Sequence, residues 1–181
     1  MEERDQDDPF RAFLFIRLPN VEVNPDNQTY VRIRKTIKTM IRKYQTEDAA
    51  ALVLIWRNAN AIAHSFLSDD FVEKVAQDMR NIYLPNAETW VLEDDQKPIG
   101  FIALIGDEIG GLFLEPSMHG RGFGKALTDH AVALHGPLRV EVFAKNVIGR
   151  RFYDRYGFVE NGRHVHEDSG EETIKMAMPT A

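Results

Sequence analysis

Two stretches of the chain carry residue types at spacings that could do chemistry. The first is Leu112-Phe113-Leu114-Glu115-Pro116-Ser117-Met118-His119-Gly120-Arg121-Gly122-Phe123-Gly124-Lys125. An apolar run stops at a proline, glycines follow at alternate positions, and the chain passes directly into a helical pattern. Glycines let main-chain amides close around an anion without side-chain obstruction. The first turn of a helix adds free N–H groups and a partial positive charge. Arg121 and Lys125 add formal positive charge, so the stretch is suited to holding phosphate. A Walker loop is excluded, because its first glycine and its Ser/Thr after the lysine fall on His119 and Ala126. A dinucleotide fingerprint starting at Gly122 would need a small residue where Leu127 stands. A flexible turn is the plain alternative for the glycines taken alone.

The second stretch is Val140-Glu141-Val142-Phe143-Ala144-Lys145-Asn146-Val147-Ile148-Gly149-Arg150-Arg151-Phe152-Tyr153-Asp154-Arg155-Tyr156-Gly157-Phe158. A strand leads to an asparagine able to cap a helix. Ile148, Phe152 and Tyr156 fall on its inward side, with Tyr153 on the neighbouring face and Gly149 one turn before it. A glycine there leaves room beside the tyrosine ring for a narrow ligand arm. Glu141 points to the strand face opposite Val140 and Val142.

With these residues in this order, the sequence resembles the GNAT superfamily of acetyl-CoA-dependent N-acetyltransferases over about residues 40–178. His119-Gly-Arg-Gly122-Phe-Gly124 is similar to the family's pyrophosphate loop, with His in the first place. Asn146…Gly149…Phe152-Tyr153…Gly157-Phe158 is similar to its second signature. The resemblance implies acetyl-CoA as cosubstrate, held by Leu112, Phe113, Leu114, His119, Gly120, Arg121, Gly122, Phe123, Gly124, Lys125, Asn146 and Gly149, with no metal. Arg150-Arg151 would reach the CoA 3′-phosphate or form a solvated helix face. Ile55-Trp56, Ala63-His64-x-Phe66-Leu67 and Leu84-Pro85 resemble a group of small bacterial acetyltransferases.

The resemblance also implies direct attack of a primary amine on the thioester in a ternary complex. A lysine amine is neutral only about once in 2500 at pH 7, so it asks far more of a base than an α-amine does. Tyr153 is the expected acid for the departing thiolate; its alternative is a core aromatic. Glu141 is the expected base. It lies twelve residues before Tyr153, a spacing shared with ribosomal-protein alanine acetyltransferases. A salt-bridged strand carboxylate, with water as the relay, is the alternative. His64, Phe66 and Trp56 are the expected acceptor-binding residues, although His64 reads equally as a packed histidine in a helix connection. His164 and His166 read as one face of a hairpin ahead of a metal pair. The competing functional class is a non-catalytic CoA or acetyl-CoA sensor on the same fold; the acceptor, a small-molecule or protein amine, is left open.

The elements that must position these residues are legible. The chain has 181 residues, 44 % hydrophobic and 28 % charged, enough for one domain with a real core. A charge of −6 argues against nucleic-acid or anionic-membrane partners, and the lack of cysteine excludes thiol chemistry. No secretion signal or spanning run is visible, so a cytoplasmic location is the default. Residues 1–39 read as an N-terminal extension of uncertain structure, with candidate strands at Phe10–Leu18 and Tyr30–Ile33; the acetyltransferase domain is expected at 40–181. Periodicity from Met40 gives the order β-α-α-β-β-β-α-β-α-β-β. That implies an α/β (α+β) fold with a mixed, mostly antiparallel sheet of six or seven strands and helices on both faces. A homodimer is left open.

Overall fold

The computed structural model describes residues 21–23, 29–33 and 37–180, with side chains from residue 39 onward. The candidate strand at Phe10–Leu18 lies outside the described residues. The described strands form a single sheet, in spatial order β1-β2-β3-β4-β5-β6-β7-β9-β8. β1 (Val21–Val23) and β2 (Thr29–Ile33) add antiparallel to β3 (Ile37–Lys43), which begins ahead of the expected Met40. β4 (Glu88–Asp94), β5 (Lys97–Ile105) and β6 (Glu108–Leu114) continue as an antiparallel meander. β7 (Arg139–Phe143), β8 (Val159–Val165) and β9 (Glu172–Ala177) close the sheet. From β3 on this is the expected order, with seven strands.

Helices cover both faces because the strands are apolar on both. On one face, α4 (Phe123–His135) and α5 (Val147–Tyr156) pack over Trp90, Leu92, Ile102, Leu112, Val140 and Val142. On the other, α1 (Ala49–Ala63) and α2 (Asp69–Asp78) pack over Val91, Phe101 and Phe113. The alternation along β4 to β7 thus divides the molecule into two cores, each built from every second residue.

The helical segment from Asp69 to Asn86 is not one regular α-helix. After α2 the chain widens into a π-turn at Met79–Tyr83, where Leu84 N–H reaches back to Met79 O, and then makes one turn, α3 (Leu84–Asn86). Pro85 has no N–H to give and its ring crowds the preceding turn; the wider π-turn relieves that crowding and lets the chain run through the proline.

The start of α1 is locked to the sheet by Arg42 on β3. Its guanidinium bonds both oxygens of Asp48 (2.7 and 2.8 Å) and Oε1 of Glu93 on β4 (2.6 Å). Burial opposes ionisation of Asp48, but the Arg42 bonds and the Gln45 amide hold its carboxyl below the usual value. Because the folded value is depressed, this stabilisation is present above the ordinary carboxylate range and lost as acid passes below it. Replacing Arg42 by Met strands two carboxylates and should lower unfolding free energy by about 2 to 4 kcal/mol. Urea titration at pH 7 checks this, and repeating it toward pH 3 should show a shallower acid loss in the variant.

Candidate active site

β6 is where the sheet opens. It pairs with β7 in parallel only at Glu108↔Arg139 and Ile109↔Val140. Register with β5 shifts between Ile109 and Gly111, leaving Gly110 as a bulge. Beyond that point β6 keeps β5 as neighbour while its other edge has left β7. The main chain of Gly110–Leu114 therefore presents hydrogen-bonding groups into the gap. Leu112, Phe113 and Leu114 are all buried.

The loop follows directly. Pro116–Met118 make one 3₁₀ turn, and His119 Nε2 donates to Leu114 O at 3.3 Å. Gly120 (φ +73°) and Gly122 (φ +83°) are both left-handed, a conformation glycine adopts without strain. Added β-carbon atoms would meet nothing at Gly120, so the requirement there is conformational. Gly122 is the N-cap of α4, which places the amides of Phe123, Gly124 and Lys125 in a first turn with no i−4 acceptor. Phe123 is 1 % exposed and anchors that turn in the core. This glycine cradle at a helix N-terminus fits a diphosphate. Arg121 is exposed at its rim. Lys125 is directed elsewhere: its ammonium bonds both oxygens of Asp129 (2.7 and 2.6 Å), which also accepts from Tyr156 OH (2.7 Å). That network ties α4 to α5.

Asn146 and His64 join the two helical layers. Asn146 caps α5, its Oδ1 accepting from Gly149 N–H at 2.9 Å. Its Nδ2 donates to His64 Nε2 at 2.7 Å, while His64 Nδ1 donates to Asn60 Oδ1 at 2.8 Å. Each of these ring-nitrogen roles follows from its partner. Asn60 was not singled out from sequence, although it lies one helical turn before His64. His64 is 2 % exposed, packs edge-on against Phe66 and Phe143, and burial pulls its pKa down to about 3. Its ring also lines a narrow cleft between α1 and α5, with Phe113, His119 and Ile148.

Tyr153 and Glu141 lie on opposite faces of the sheet. Tyr153 is 0 % exposed on the α4/α5 side, against Phe152 and Phe158, and burial pushes its phenol well up. Glu141 is on the α1/α2 side and buried. Its Oε2 faces His164 Nε2 at 3.2 Å and its Oε1 faces Lys175 Nζ at 3.4 Å. In register, Glu141 directly follows the last β6–β7 pair, so it stands abreast of the Gly110 bulge. On the same face, Trp56, Met79, Tyr83 and Phe113 line a narrow, partly open apolar pocket floored by Gly110 and Gly111. Trp56 and His64 thus line separate spaces with Phe113 common to both, and Phe66 lies further out, against Phe143.

His166 packs between Phe71 and Phe143 and bonds Ser169, so it does not share His164's partner. Among the described residues no group of three or more His, Asp or Glu is arranged to hold a metal. Arg150 turns back to Ala144 O, and Arg151 is exposed. No helix among the described residues is long and apolar enough to cross a membrane.

Comparison with known proteins accords with this geometry. Residues 85–160 match the Acetyltransferase (GNAT) domain. The chain is 34 % identical over 132 residues to peptidyl-lysine N-acetyltransferase YjaB of Salmonella typhimurium, spanning 72 % of this chain and 90 % of that protein. It superposes on the solution structure of apo YjaB from Escherichia coli with TM-score 0.72 and 29 % identity, covering 79 % of this chain and 99 % of the other. The PaiA N-acetyltransferase of Thermoplasma acidophilum, solved with coenzyme A, shares the fold at TM-score 0.62 and 20 % identity, over 81 % and 100 % of the two chains. The chain belongs to the GNAT family of acetyltransferases. It is an acetyl-CoA-dependent N-acetyltransferase.

Because His64 is held neutral while an unfolded chain protonates it near pH 6.5, its contribution is full above that value and lost as pH falls toward about 3. The loss is of the order of 5 kcal/mol. His130, lowered by burial to about 4, acts in the same window. Urea midpoints measured from pH 7.5 to 4.5 should fall steeply for the wild type and less steeply for His64→Asn, with His130 supplying the remaining slope.

Proposed function

We propose that this enzyme acetylates the side-chain amine of lysine in a peptide or protein, with Glu141 as base and Tyr153 as acid. The observation that carries the reading is the position of Glu141. It is a nearly sealed carboxylate at the point where β6 and β7 part, on the face away from Tyr153 and on the same face as the apolar pocket over Gly110 and Gly111. A lysine offers a matching pattern: an apolar stem for the cavity and a cationic head for the carboxylate. The peptidyl-lysine activity named for YjaB supports the same choice.

The chemistry follows from the two faces. The ammonium must lose a proton before it attacks, and the nitrogen must lose a second as the amide forms. Carboxylates are weak bases toward a free ammonium, but the nitrogen becomes far more acidic once bonded to the carbonyl carbon. Glu141 therefore serves by holding the cation and accepting protons as the bond forms. Burial keeps Tyr153 protonated through the neutral range, so it has a proton to give the departing thiolate. The main chain of β6 and the glycine loop hold the cosubstrate, and its reactive thioester is the bond that breaks. Asn146 and Gly149 shape the start of α5, and His64 acts as a positioning residue through Asn146.

Release of free CoA thiol should be followed with an N-terminally blocked lysine peptide, the same peptide with lysine blocked and its α-amine free, and polyamines. Turnover is expected with the first; turnover confined to polyamines or α-amines overturns the lysine assignment. Tyr153→Phe should keep coenzyme binding by calorimetry while kcat falls by roughly 10²–10⁴. Glu141→Gln should lose a similar factor at pH 7, recovering as pH rises toward the amine pKa and free amine accumulates; a pH-independent deficit would remove Glu141 as the base.

A further inference from the structure

We infer that Lys175 is an internal acceptor, a lysine of this chain that the enzyme acetylates at its own active site. The inference rests on the assignment of Glu141 made above. Lys175 is the direct cross-strand partner of Glu141 on β9, and its Nζ lies 3.4 Å from Glu141 Oε1. A lysine ammonium already stands where the reaction requires one. The other described lysine ion pairs are with different carboxylates: Lys74 with Asp168, Lys125 with Asp129 and Lys145 with Glu171.

The head of Lys175 can move. Its side chain is 45 % exposed while that of Glu141 is 7 % exposed. A single contact to a half-exposed lysine holds its four-carbon stem only weakly. β9 lies next to β7, and β7 next to the open edge of β6. Two strand spacings, roughly 10 Å, separate the Lys175 main chain from the line of Gly110. An extended lysine side chain covers more than half of that, toward the gap. His164 Nε2 lies 3.2 Å from the other oxygen of Glu141, on the side away from Lys175 Nζ.

The step balances as an ordinary acyl transfer. Lys175 Nζ gives one proton to Glu141 and attacks the thioester carbonyl of acetyl-CoA. The N–C bond forms, the C–S bond breaks, and Nζ gives a second proton through Glu141 to solvent. Tyr153 protonates the departing thiolate and is reprotonated from solvent, so one acetyl-CoA yields one acetyl-lysine, one CoA thiol and one net proton. The acetylated side chain carries no charge, which leaves Glu141 Oε1 to an incoming lysine.

The test uses the full chain with isotopically labelled acetyl-CoA and no added acceptor, read by intact mass and peptide mapping. One labelled acetyl group on Lys175 is expected. It should appear with a first-order rate unchanged over a hundredfold range of protein concentration. Lys175→Arg should remove the label, and Glu141→Gln should slow it at least tenfold. Label spread over exposed lysines such as Lys97, at a rate rising with protein concentration, overturns the inference. So does an unlabelled Lys175 in a preparation that turns over the lysine peptide, an outcome that leaves the proposed function standing. If the coenzyme binds but neither Lys175 nor any amine is acetylated, the proposed function falls and takes the inference with it.

Discussion

The parting of β6 from β7 governs the rest of the structure. Two parallel strands that pair over only two residues leave main-chain groups without sheet partners, which a folded protein does not tolerate in its interior unless something else meets them. Here the divergence begins at the Gly110 bulge, a residue with no partner on β5. Bulges increase local twist and re-aim the strand that carries them. β6 is thereby directed into the glycine loop and the N-terminus of α4, while β7 is directed toward Asn146 and α5. One interruption of the ladder separates the two motifs by a gap and points both at it.

A sheet opened in its middle needs restraint from above and below. On the α4/α5 side, Lys125, Asp129 and Tyr156 bridge the two crossover helices, so the segments flanking the gap cannot drift independently. From the other layer, α1 ends at His64, whose neutral ring is fixed between Asn60 and the cap of α5. A charged ring would put an unpaired cation in that interior. The histidine works as a joint between layers because it offers one donor and one acceptor at opposite corners of a rigid ring.

Much of this was legible in the sequence, for physical reasons. The Pro116 stop, the alternating glycines and the helical pattern after Phe123 are local features, and local features fix local geometry. Alternation along Val140–Phe143 put Glu141 on the face away from Val140 and Val142, as observed. What sequence did not reveal depends on register. Lys175 meets Glu141 only because β9 inserts between β7 and β8, a non-local pairing with no signature in composition. Lys125 read as a loop cation because charge alone does not reveal that Asp129, one turn on, claims it. The π-turn before Pro85 was hidden because a proline reads as an end when the backbone can also widen to pass it.

The sheet grows at a margin remote from its opening. β1 and β2 lengthen it beyond β3, and three more strands stand between that border and the gap. Because each strand is hydrogen-bonded only to its immediate neighbours, changes at the border reach the centre only by being relayed through β3, β4 and β5. β3 and β4 are joined by the Arg42 clasp, and β4 and β5 carry apolar packing on both sides. The fold therefore keeps the added border three strands away from the opening, so a disturbance there is attenuated before it reaches the gap.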